Sequence, residues 1–336
     1  MPSGHISKKV LVTGVAGFLG SNLLKKLIAE GHSVWGIDNL SMGKLENISE
    51  YLNHERFVFL EKDIVQTSTF EELDETFDVI VHLAAFKIPR YGKAVDTLQI
   101  NAKGTENLLE FARHTGTKCV LASTSDVYGM SPDIPFKETG NCVIGNSKVP
   151  RWGYAVSKLF DEHLALAYME SYGFPVVLLR FFGSYGPHQH LSWWGGPQSV
   201  FIDCILKDKV IPIHGDGQQT RTFTFVEDTV AGIYAATMKE EANGEIFNIG
   251  ANEEITILGL AQLLKRVSGT PGELKVEMIP YDQIAQGRQY QDVMRRVPDN
   301  TKAEQILGVK AQFGLEEGMR RTLEWQKKII EKEIAI

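Results

Sequence analysis

The chain has few cysteines, and their placement excludes two classes of protein. Its three cysteines, Cys119, Cys142 and Cys204, are far apart and form neither a Cys-x-x-Cys pair nor the ligand spacing of a zinc site. The sequence therefore lacks the pattern of a disulfide-rich secreted domain and that of a zinc-binding module. We expect a reducing compartment.

Long apolar runs and basic segments are also missing. The first residues, MPSGHISKKV, contain no apolar signal segment, and no run of about 18 apolar residues occurs. The net charge is −7, and acidic and basic residues are mixed, so no segment has the basic surplus typical of a nucleic-acid binder. We expect a soluble, cytoplasmic protein that binds neither nucleic acid nor membrane.

A glycine-rich turn follows the first apolar run of the chain. The run 10–13 is typical of a buried parallel strand, and a segment with helical periodicity comes after the turn. Gly14 permits a tight turn, Gly17 lets backbone approach a pyrophosphate, and Gly20 lets helix and strand pack closely. A glycine-rich turn alone often serves only the direction of the chain. In this context the pattern predicts a dinucleotide at the start of the helix.

Asp38 ends the second predicted strand, SVWGID. Its carboxylate would accept hydrogen bonds from the adenosine ribose hydroxyls and would repel a 2′-phosphate, and no arginine follows in DNLSMGKLEN. The alternative is a solvated loop aspartate. We predict NAD, rather than NADP, as the cofactor.

Strand-like and helix-like segments alternate along most of the chain. Further predicted strands are RFVFLEKDI, FDVIVHLAAF, KCVLAST, FPVVLLRFF and EIFNIG, and NAKGTENLLEFARHTG is a predicted helix. The alternation predicts an α/β fold with a doubly wound, mainly parallel (Rossmann) sheet and a smaller C-terminal α/β substrate lobe. We expect the cofactor domain at 1–183 and about 222–250, and the smaller lobe at about 184–221 and 251–336.

Tyr154 and Lys158 are four residues apart in a helix predicted from about Tyr154 to Ser171, so they share one face. A tyrosine has an unperturbed pKa of about 10, and a neighbouring ammonium group stabilises its phenolate. Such a pair can take a proton from an alcohol whose carbon gives a hydride to NAD. Tyr-x-x-x-Lys alone is a common structural pattern, and it gains weight here because it follows a dinucleotide motif.

Several motifs spread over the chain together carry a family resemblance. They are TGVAGFLG, DNLS, HLAA, STSDVYG, YAVSK, LRFFGSYGP, GDGQQTRTFTFVEDTVAGI and the tail RRVPDNTKAEQILGVKAQFGLEEGM. The set resembles the extended short-chain dehydrogenases, and within them the NAD-dependent nucleotide-sugar epimerases, dehydratases and decarboxylases. The resemblance implies that Tyr154 is the catalytic base, that Lys158 lowers its pKa, and that Thr124 relays the proton and binds the sugar.

The resemblance also implies the contacts of the cofactor and of a UDP-sugar substrate. Besides the glycines, Asp38, Tyr154 and Lys158, the implied NAD contacts are Phe18, Leu19, Asn39, Ser41, Asp63, Ile64, Leu83, Ala84, Ala85, Lys87, Asn101 and Ser123. The implied substrate contacts are Thr124, Ser125, Asp126, Gly183, Ser184, Gln198, Arg221 and Arg288. Members of the family often dimerise through helices that correspond to Asn101–His114 and Tyr154–Ser171, so we expect a homodimer.

The residues after Thr124 bear on the reaction. Ser125 and Asp126 occupy the positions where the resembled dehydratases have Asp-Glu, and a serine cannot protonate a leaving hydroxide as a carboxylic acid can. The resembled decarboxylases usually have Thr-Ser-Glu, and Asp126 is one methylene shorter than that glutamate. Lys87 matches a cofactor-contacting lysine of UDP-galactose 4-epimerases, with a solvated loop lysine as the alternative. We predict a UDP-sugar 4-epimerase; the alternatives are a UDP-glucuronate decarboxylase and a non-catalytic NAD-sensing protein.

One position departs from the family pattern near the expected sugar. Relatives usually have Arg-x-Phe-Asn, whereas this chain has Gly183 and then Ser184. Loss of the amide would leave room, and a hydroxyl with backbone N–H groups could accommodate a C6 carboxylate. This slightly favours UDP-glucuronate and UDP-galacturonate over UDP-glucose and UDP-galactose.

Three further groups of residues receive a structural interpretation. Glu162 and His163 are predicted to lie on a polar helix face. Trp193 and Trp194 are expected to pack rather than to cover the sugar. His188 and His190 lack a third ligand nearby, so we predict a solvated loop and no metal site.

Overall fold

The structure is a computed structural model that describes residues 7–87, 94–285 and 288–334. Its strands are β1 (Lys9–Thr13), β2 (Ser33–Asp38), β3 (Phe57–Glu61), β4 (Val79–His82), β5 (Lys118–Thr124), β6 (Val176–Phe181), β7 (Ser184–Tyr185), β8 (Ile211–His214), β9 (Thr220–Thr222), β10 (Thr224–Phe225), β11 (Ile246–Ile249), β12 (Glu254–Thr256), β13 (Val276–Ile279) and β14 (Arg295–Arg296).

Helices fill most of the connections between these strands. The α-helices are α1 (Phe18–Ala29), α2 (Ser68–Glu71), α3 (Ala94–Thr115), α4 (Trp152–Tyr172), α5 (Pro197–Leu206), α6 (Val226–Met238), α7 (Ile257–Ser268), α8 (Tyr281–Ala285) and α9 (Leu315–Ile334). Short 3₁₀ segments lie at Leu45–Tyr51, Ser125–Tyr128 and Glu240–Ala242, and a π-helical turn lies at Ala303–Leu307.

A seven-stranded parallel sheet forms the centre of the molecule, in the order β11-β6-β5-β4-β1-β2-β3. Alternate residues of its buried strands enter two separate apolar cores. Val10 and Val12 pack with Leu24 of α1 on one face, whereas Leu11 packs with Leu108 of α3 on the other. Both faces are therefore covered, which explains why the strands read as continuous apolar runs. The predicted doubly wound α/β fold is confirmed.

The ends of two helices differ from the sequence prediction. Helix α3 begins at Ala94, seven residues before the predicted start at Asn101. Val95 and Leu98 in this first part are exposed, so they give no amphipathic signal toward the core. Helix α4 extends slightly beyond its predicted bounds at both ends.

Three smaller sheets lie beside the large one: β10 pairs with β7, β9 pairs with β12 and β14, and β13 pairs with β8. The division into a cofactor domain and a smaller substrate lobe remains a proposal. No helix in the described ranges is long and apolar enough to cross a membrane.

Because all seven strands of the large sheet are parallel, their carboxyl ends meet at one edge. Strands β1, β4, β5 and β6 end there at Thr13, His82, Thr124 and Phe181. In open α/β sheets this edge is where ligands bind. The turns that follow these four strands carry most of the residues singled out from the sequence.

Candidate active site

A cavity of 830 Å³ lies at the carboxyl ends of the sheet strands. Of the predicted cofactor and substrate contacts, all but two line it. Asn101 lies behind the wall, where its amide accepts a hydrogen bond from the Phe86 N–H (2.7 Å) and donates one to Ser157 (3.0 Å). Arg288 is exposed and does not line the cavity. The remaining predicted residues converge on one site.

The glycine-rich turn forms one end of the cavity. Gly14 has φ +73°, and a Cβ there would lie 2.8 Å from the Ala84 nitrogen. A Cβ at Gly20 would overlap the carbonyl oxygen of Gly14, so α1 could not approach β1 so closely with a larger residue. Gly17 is the N-cap of α1, and no side chain in the described ranges caps it. Backbone N–H groups at this helix start therefore suit a pyrophosphate, as in an NAD site.

Asp38 closes this end of the cavity and is buried. Its Oδ2 accepts a hydrogen bond from the Ala16 N–H and its Oδ1 one from the Leu40 N–H, both at 2.9 Å. Burial raises the pKa of Asp38, and these backbone donors oppose the rise. The alternative of a solvated loop aspartate is therefore wrong. The carboxylate shapes the turn and also lines the cavity, where ribose hydroxyls are its expected partners.

Tyr154, Lys158 and Thr124 all line the cavity. The ammonium group of Lys158 lies 3.1 Å from Oδ2 of Asp161, and both side chains are buried. Burial raises the pKa of Tyr154, and the negative charges of Asp126 and Asp161 raise it further. The phenolate form therefore requires positive charge nearby, and Lys158 carries such a charge on the same helix.

His82 lies at the end of β4, deep beneath these residues. Its Nδ1 contacts the Thr13 hydroxyl at 2.7 Å, and its Nε2 contacts Thr105 at 3.4 Å. Burial lowers the pKa of His82 to about 3, and the nearby charge of Lys158 contributes. His82 is therefore neutral at physiological pH, and its ring serves as a hydrogen-bonding group between β1 and α3.

The segment Thr124 to Asp126 meets an arginine that the sequence interpretation missed. Arg296 lies 2.8 Å from Oδ1 of Asp126, and its Nη1 donates a 3.4 Å hydrogen bond to the Ser125 hydroxyl. The Nε–H of Arg296 is buried and has no hydrogen-bond partner among the described residues. Arg151 approaches the same Asp126 oxygen at 3.9 Å. This wall of the cavity thus holds a carboxylate between two guanidinium groups.

Asp292 links the remaining cationic residues of this wall. Its Oδ1 lies 2.5 Å from Nη1 of Arg151 and 3.1 Å from Nη2 of Arg221. Arg221 belongs to β9 and also lines the cavity, where its forked donors suit phosphate oxygens. Within the described ranges the lining therefore carries three arginines and two aspartates in this region, which suits an anionic ligand.

Glu162 is buried, and its predicted position on a polar helix face is wrong. Its Oε1 accepts hydrogen bonds from the Ser123 hydroxyl at 2.5 Å and from Nε of Arg180 at 2.9 Å, while its Oε2 lies 2.6 Å from Nη2 of Arg180. The bidentate pair joins α4 to β5 and β6. His163, the next residue, is exposed as predicted.

The space expected beside Gly183 is taken by backbone. Gly183 has φ +53°, and a Cβ there would overlap the carbonyl oxygen of Thr222. The Ser184 hydroxyl contacts Thr229 of α6 at 2.9 Å. Gly183 and Ser184 therefore offer less room and fewer free donors to a C6 carboxylate than the sequence indicates. Arg296 and Arg151, beside Asp126, are better suited to bind such a group.

Aromatic residues also line the cavity. Trp193 stacks on His214 with ring centroids 4.4 Å apart, and Trp194 packs edge-on against Phe86. The Lys87 ammonium donates a hydrogen bond to the Trp194 carbonyl at 3.2 Å. Gln198 is buried and supports the same loop through a 2.7 Å hydrogen bond to Gly195. Both tryptophans pack as expected, and both also line the cavity.

The two histidines of HQH lie in different environments. His188 contacts the Ser21 hydroxyl at 2.8 Å and packs against Trp325, so a fully solvated loop is the wrong description for it. His190 is exposed. No group of three or more potential metal ligands occurs among the residues that the structure describes.

The site residues that the sequence interpretation did not identify are distant in sequence from their partners. Arg296 and Asp292 lie in the C-terminal segment, more than a hundred residues from Asp126 and Arg151 along the chain. Local periodicity therefore cannot predict that these residues contact Asp126 and Arg151. The tail motif that contains Arg296 was recognised only as part of the resemblance.

Comparison with known proteins supports the assignment of this cavity to nucleotide-sugar chemistry. The sequence model of the GDP-mannose 4,6 dehydratase family matches residues 11–322. A UDP-N-acetyl-alpha-D-glucosaminuronate decarboxylase of Bacillus cytotoxicus is 33% identical, over 96% of this chain and 99% of its own. The UDP-glucuronic acid decarboxylase 1 of Xenopus tropicalis is 34% identical, over 96% of this chain and 73% of its own.

A solved structure with both ligands is also similar. It is the UDP-glucuronic acid 4-epimerase of Bacillus cereus in complex with UDP-glucuronic acid and NAD, which has a TM-score of 0.84 and 31% sequence identity. The match covers 96% of this chain and 99% of that one. The relatives therefore share the nucleotide-sugar class and differ in the reaction.

Replacing Glu162 with Gln should destabilise the protein strongly. The change leaves the Arg180 guanidinium buried without its anionic partner, which costs about 3–5 kcal/mol of unfolding free energy. Glu106→Gln is the matched control, because it breaks an exposed pair with Lys103 at 3.0 Å and should cost under about 1 kcal/mol. Urea denaturation of both variants measures the difference. Equal midpoints would contradict a structural role of the Glu162–Arg180 pair.

Proposed function

Because this chain belongs to the GDP-mannose 4,6-dehydratase family of NAD-dependent nucleotide-sugar enzymes, we propose that it oxidises a UDP-hexuronate at C4 and releases the C6 carboxylate as carbon dioxide. The C4 ketone is then reduced, so the net change is uptake of one proton and formation of a UDP-pentose. The observation that carries the proposal is Arg296, held on Asp126 and Ser125 with a buried Nε–H that lacks a partner among the described residues.

The residues around C4 supply proton transfer. Tyr154 takes the proton of the 4-hydroxyl group, Thr124 relays it, and Lys158 stabilises the phenolate. Bound NAD supplies the hydride acceptor for this oxidation and the hydride donor for the final reduction. Because burial raises the pKa of Tyr154, the positive charge of Lys158 is needed to make the base.

Carbon dioxide loss follows from the position of the ketone. A ketone at C4 makes the uronate a β-keto acid, so the electrons of the C5–C6 bond pass to the C4 oxygen as carbon dioxide leaves. The resulting enolate then takes up a proton at C5, which restores the C4 ketone for the final reduction. Thr124 and Tyr154 are the donors proposed to stabilise that oxygen. The negative charge of Asp126 would repel the C6 carboxylate of the substrate. Loss of carbon dioxide removes this repulsion.

Anchoring at both ends of the sugar favours this outcome over epimerisation. Arg221 suits the diphosphate and Arg296 suits the C6 carboxylate, so the sugar ring would be restrained at two points. Epimerisation requires the keto sugar to turn over before the hydride returns, and two anchors oppose that rotation. The similarity to two decarboxylases supports the same choice.

The second candidate is the 4-epimerase that the sequence predicts, acting on UDP-glucuronate and UDP-galacturonate or on UDP-glucose and UDP-galactose. A specific observation favours it, namely the similarity in fold to a UDP-glucuronic acid 4-epimerase. The short Asp126 side chain is also already paired with Arg296. An NAD-sensing protein would have no use for Tyr154, Lys158 and Thr124 together.

Product analysis tests the proposed reaction. We expect UDP-glucuronate, incubated with the pure protein and NAD, to give a product lighter by carbon dioxide, detected by mass spectrometry after anion-exchange chromatography. A new peak of unchanged mass would establish the epimerase instead, and turnover of UDP-glucose alone would overturn both uronate candidates.

Tyr154→Phe should bind NAD and give no product, which separates an enzyme from an NAD sensor.

Arg296→Gln should lower kcat/KM for the uronate about 100-fold, because an uncompensated charge pair costs about 2–5 kcal/mol. Affinity for UDP, measured by calorimetry, should remain unchanged. Arg295→Gln is the matched control: this neighbouring arginine is exposed and pairs with Glu254 at 2.8 Å, so its loss should have little effect. Similar losses for the two variants would contradict the role of Arg296.

We also propose a homodimer formed through α3 and α4. These helices pack together and present exposed apolar residues, with Val95 and Leu98 on α3 and Val156 and Phe160 on α4. Large apolar side chains left exposed on two packed helices are typical of an interface. Phe160→Glu should give a monomer in analytical ultracentrifugation, whereas Val210→Glu, at an equally exposed position outside these helices, should not. A dimer in both variants would exclude this interface.

A further inference from the structure

A buried ion pair includes one of the proposed catalytic residues, Lys158. Lys158 and Asp161 are three residues apart on α4, and their side chains are only 3% and 5% exposed. A lysine so fully buried requires a partner, and Asp161 provides it at 3.1 Å. The charge that is proposed to stabilise the Tyr154 phenolate is therefore shared with a carboxylate.

We propose that Asp161 is a positioning residue, which holds the Lys158 ammonium against the inner wall and offsets the positive charge that Lys158 presents to Tyr154. The proposal rests on the proposed function only in taking Tyr154 as the base. It assigns a role to a residue that contacts neither substrate nor cofactor in the proposed mechanism. Asp161 would thereby set the pH at which the base forms.

The other charged groups around the pair do not replace Asp161. On β4, His82 is neutral at physiological pH, since burial lowers its pKa to about 3. On α4, Glu162 is matched by Arg180 of β6. After β5, Asp126 is matched by the guanidinium groups that approach it in the cavity wall, those of Arg296 and Arg151.

The direction of the effect follows from the charges. Burial raises the pKa of Tyr154, and the negative charges of Asp126 and Asp161 raise it further. Burial also raises the pKa of Asp161, while Lys158 opposes that rise. Removing the Asp161 charge would remove one of the negative charges that oppose the Tyr154 phenolate. The phenolate would then form at lower pH.

The test is an ultraviolet difference titration of the complex with NAD but without sugar, in which Tyr154→Phe identifies the signal of Tyr154. Asp161→Asn should move the titration of Tyr154 about one pH unit lower, a tenfold change in phenolate fraction. Asp161→Glu should restore the wild-type midpoint. Asp208→Asn, which breaks an exposed pair with Lys275, should leave it unchanged. An unshifted midpoint in Asp161→Asn would overturn the proposal.

A second variant and a second readout keep the result interpretable. If Asp161→Asn does not fold, Asp161→Ser leaves room for a water molecule and should give the same shift. The acid limb of the kcat–pH profile should move in the same direction for whichever sugar is turned over. A lower kcat at every pH without a shift would indicate a purely structural role. Because the titration needs no sugar, an error in the proposed reaction cannot produce or hide its result.

Discussion

The Glu162 carboxylate determines where helix α4 lies on the sheet, and the proposed chemistry depends on that position. It binds Arg180 of β6 through both oxygens and Ser123 of β5 through one. Because buried charges are tolerated only when they are paired, this contact permits little sliding of α4. The same helix presents Tyr154 and Lys158 to the cavity, so an interaction without contact to the proposed substrate aligns the proposed base.

Much of the fold and part of the site follow from local sequence. The apolar runs and the Gly14-x-x-Gly17-x-x-Gly20 turn predict the parallel sheet and its ligand edge, because strand burial and turn geometry are local properties. Pairings between distant segments, such as Glu162 with Arg180 or Asp126 with Arg296, have no local signal. The early start of α3 is missed for a different reason, since its first apolar residues do not face the core.

The choice between decarboxylation and epimerisation depends on the charges around Asp126 in the cavity wall. The sequence favours an epimerase because Ser125 replaces the dehydratase acid and Asp126 is one methylene shorter than the decarboxylase glutamate. The structure pairs Asp126 with Arg296 and brings Arg151 close. The carboxylate of the proposed substrate would therefore be attracted by the two arginines and repelled by Asp126.

The stacking of Trp193 on His214 has an optical consequence. Three of the five tryptophans in the chain, Trp193, Trp194 and Trp325, line the cavity. Indole emission responds to the polarity and contacts of its surroundings, and a ligand that enters the cavity changes both for these rings. The protein thus carries its own fluorescent reporter of occupancy, so ligand entry can be followed in real time without a label or a coupled assay.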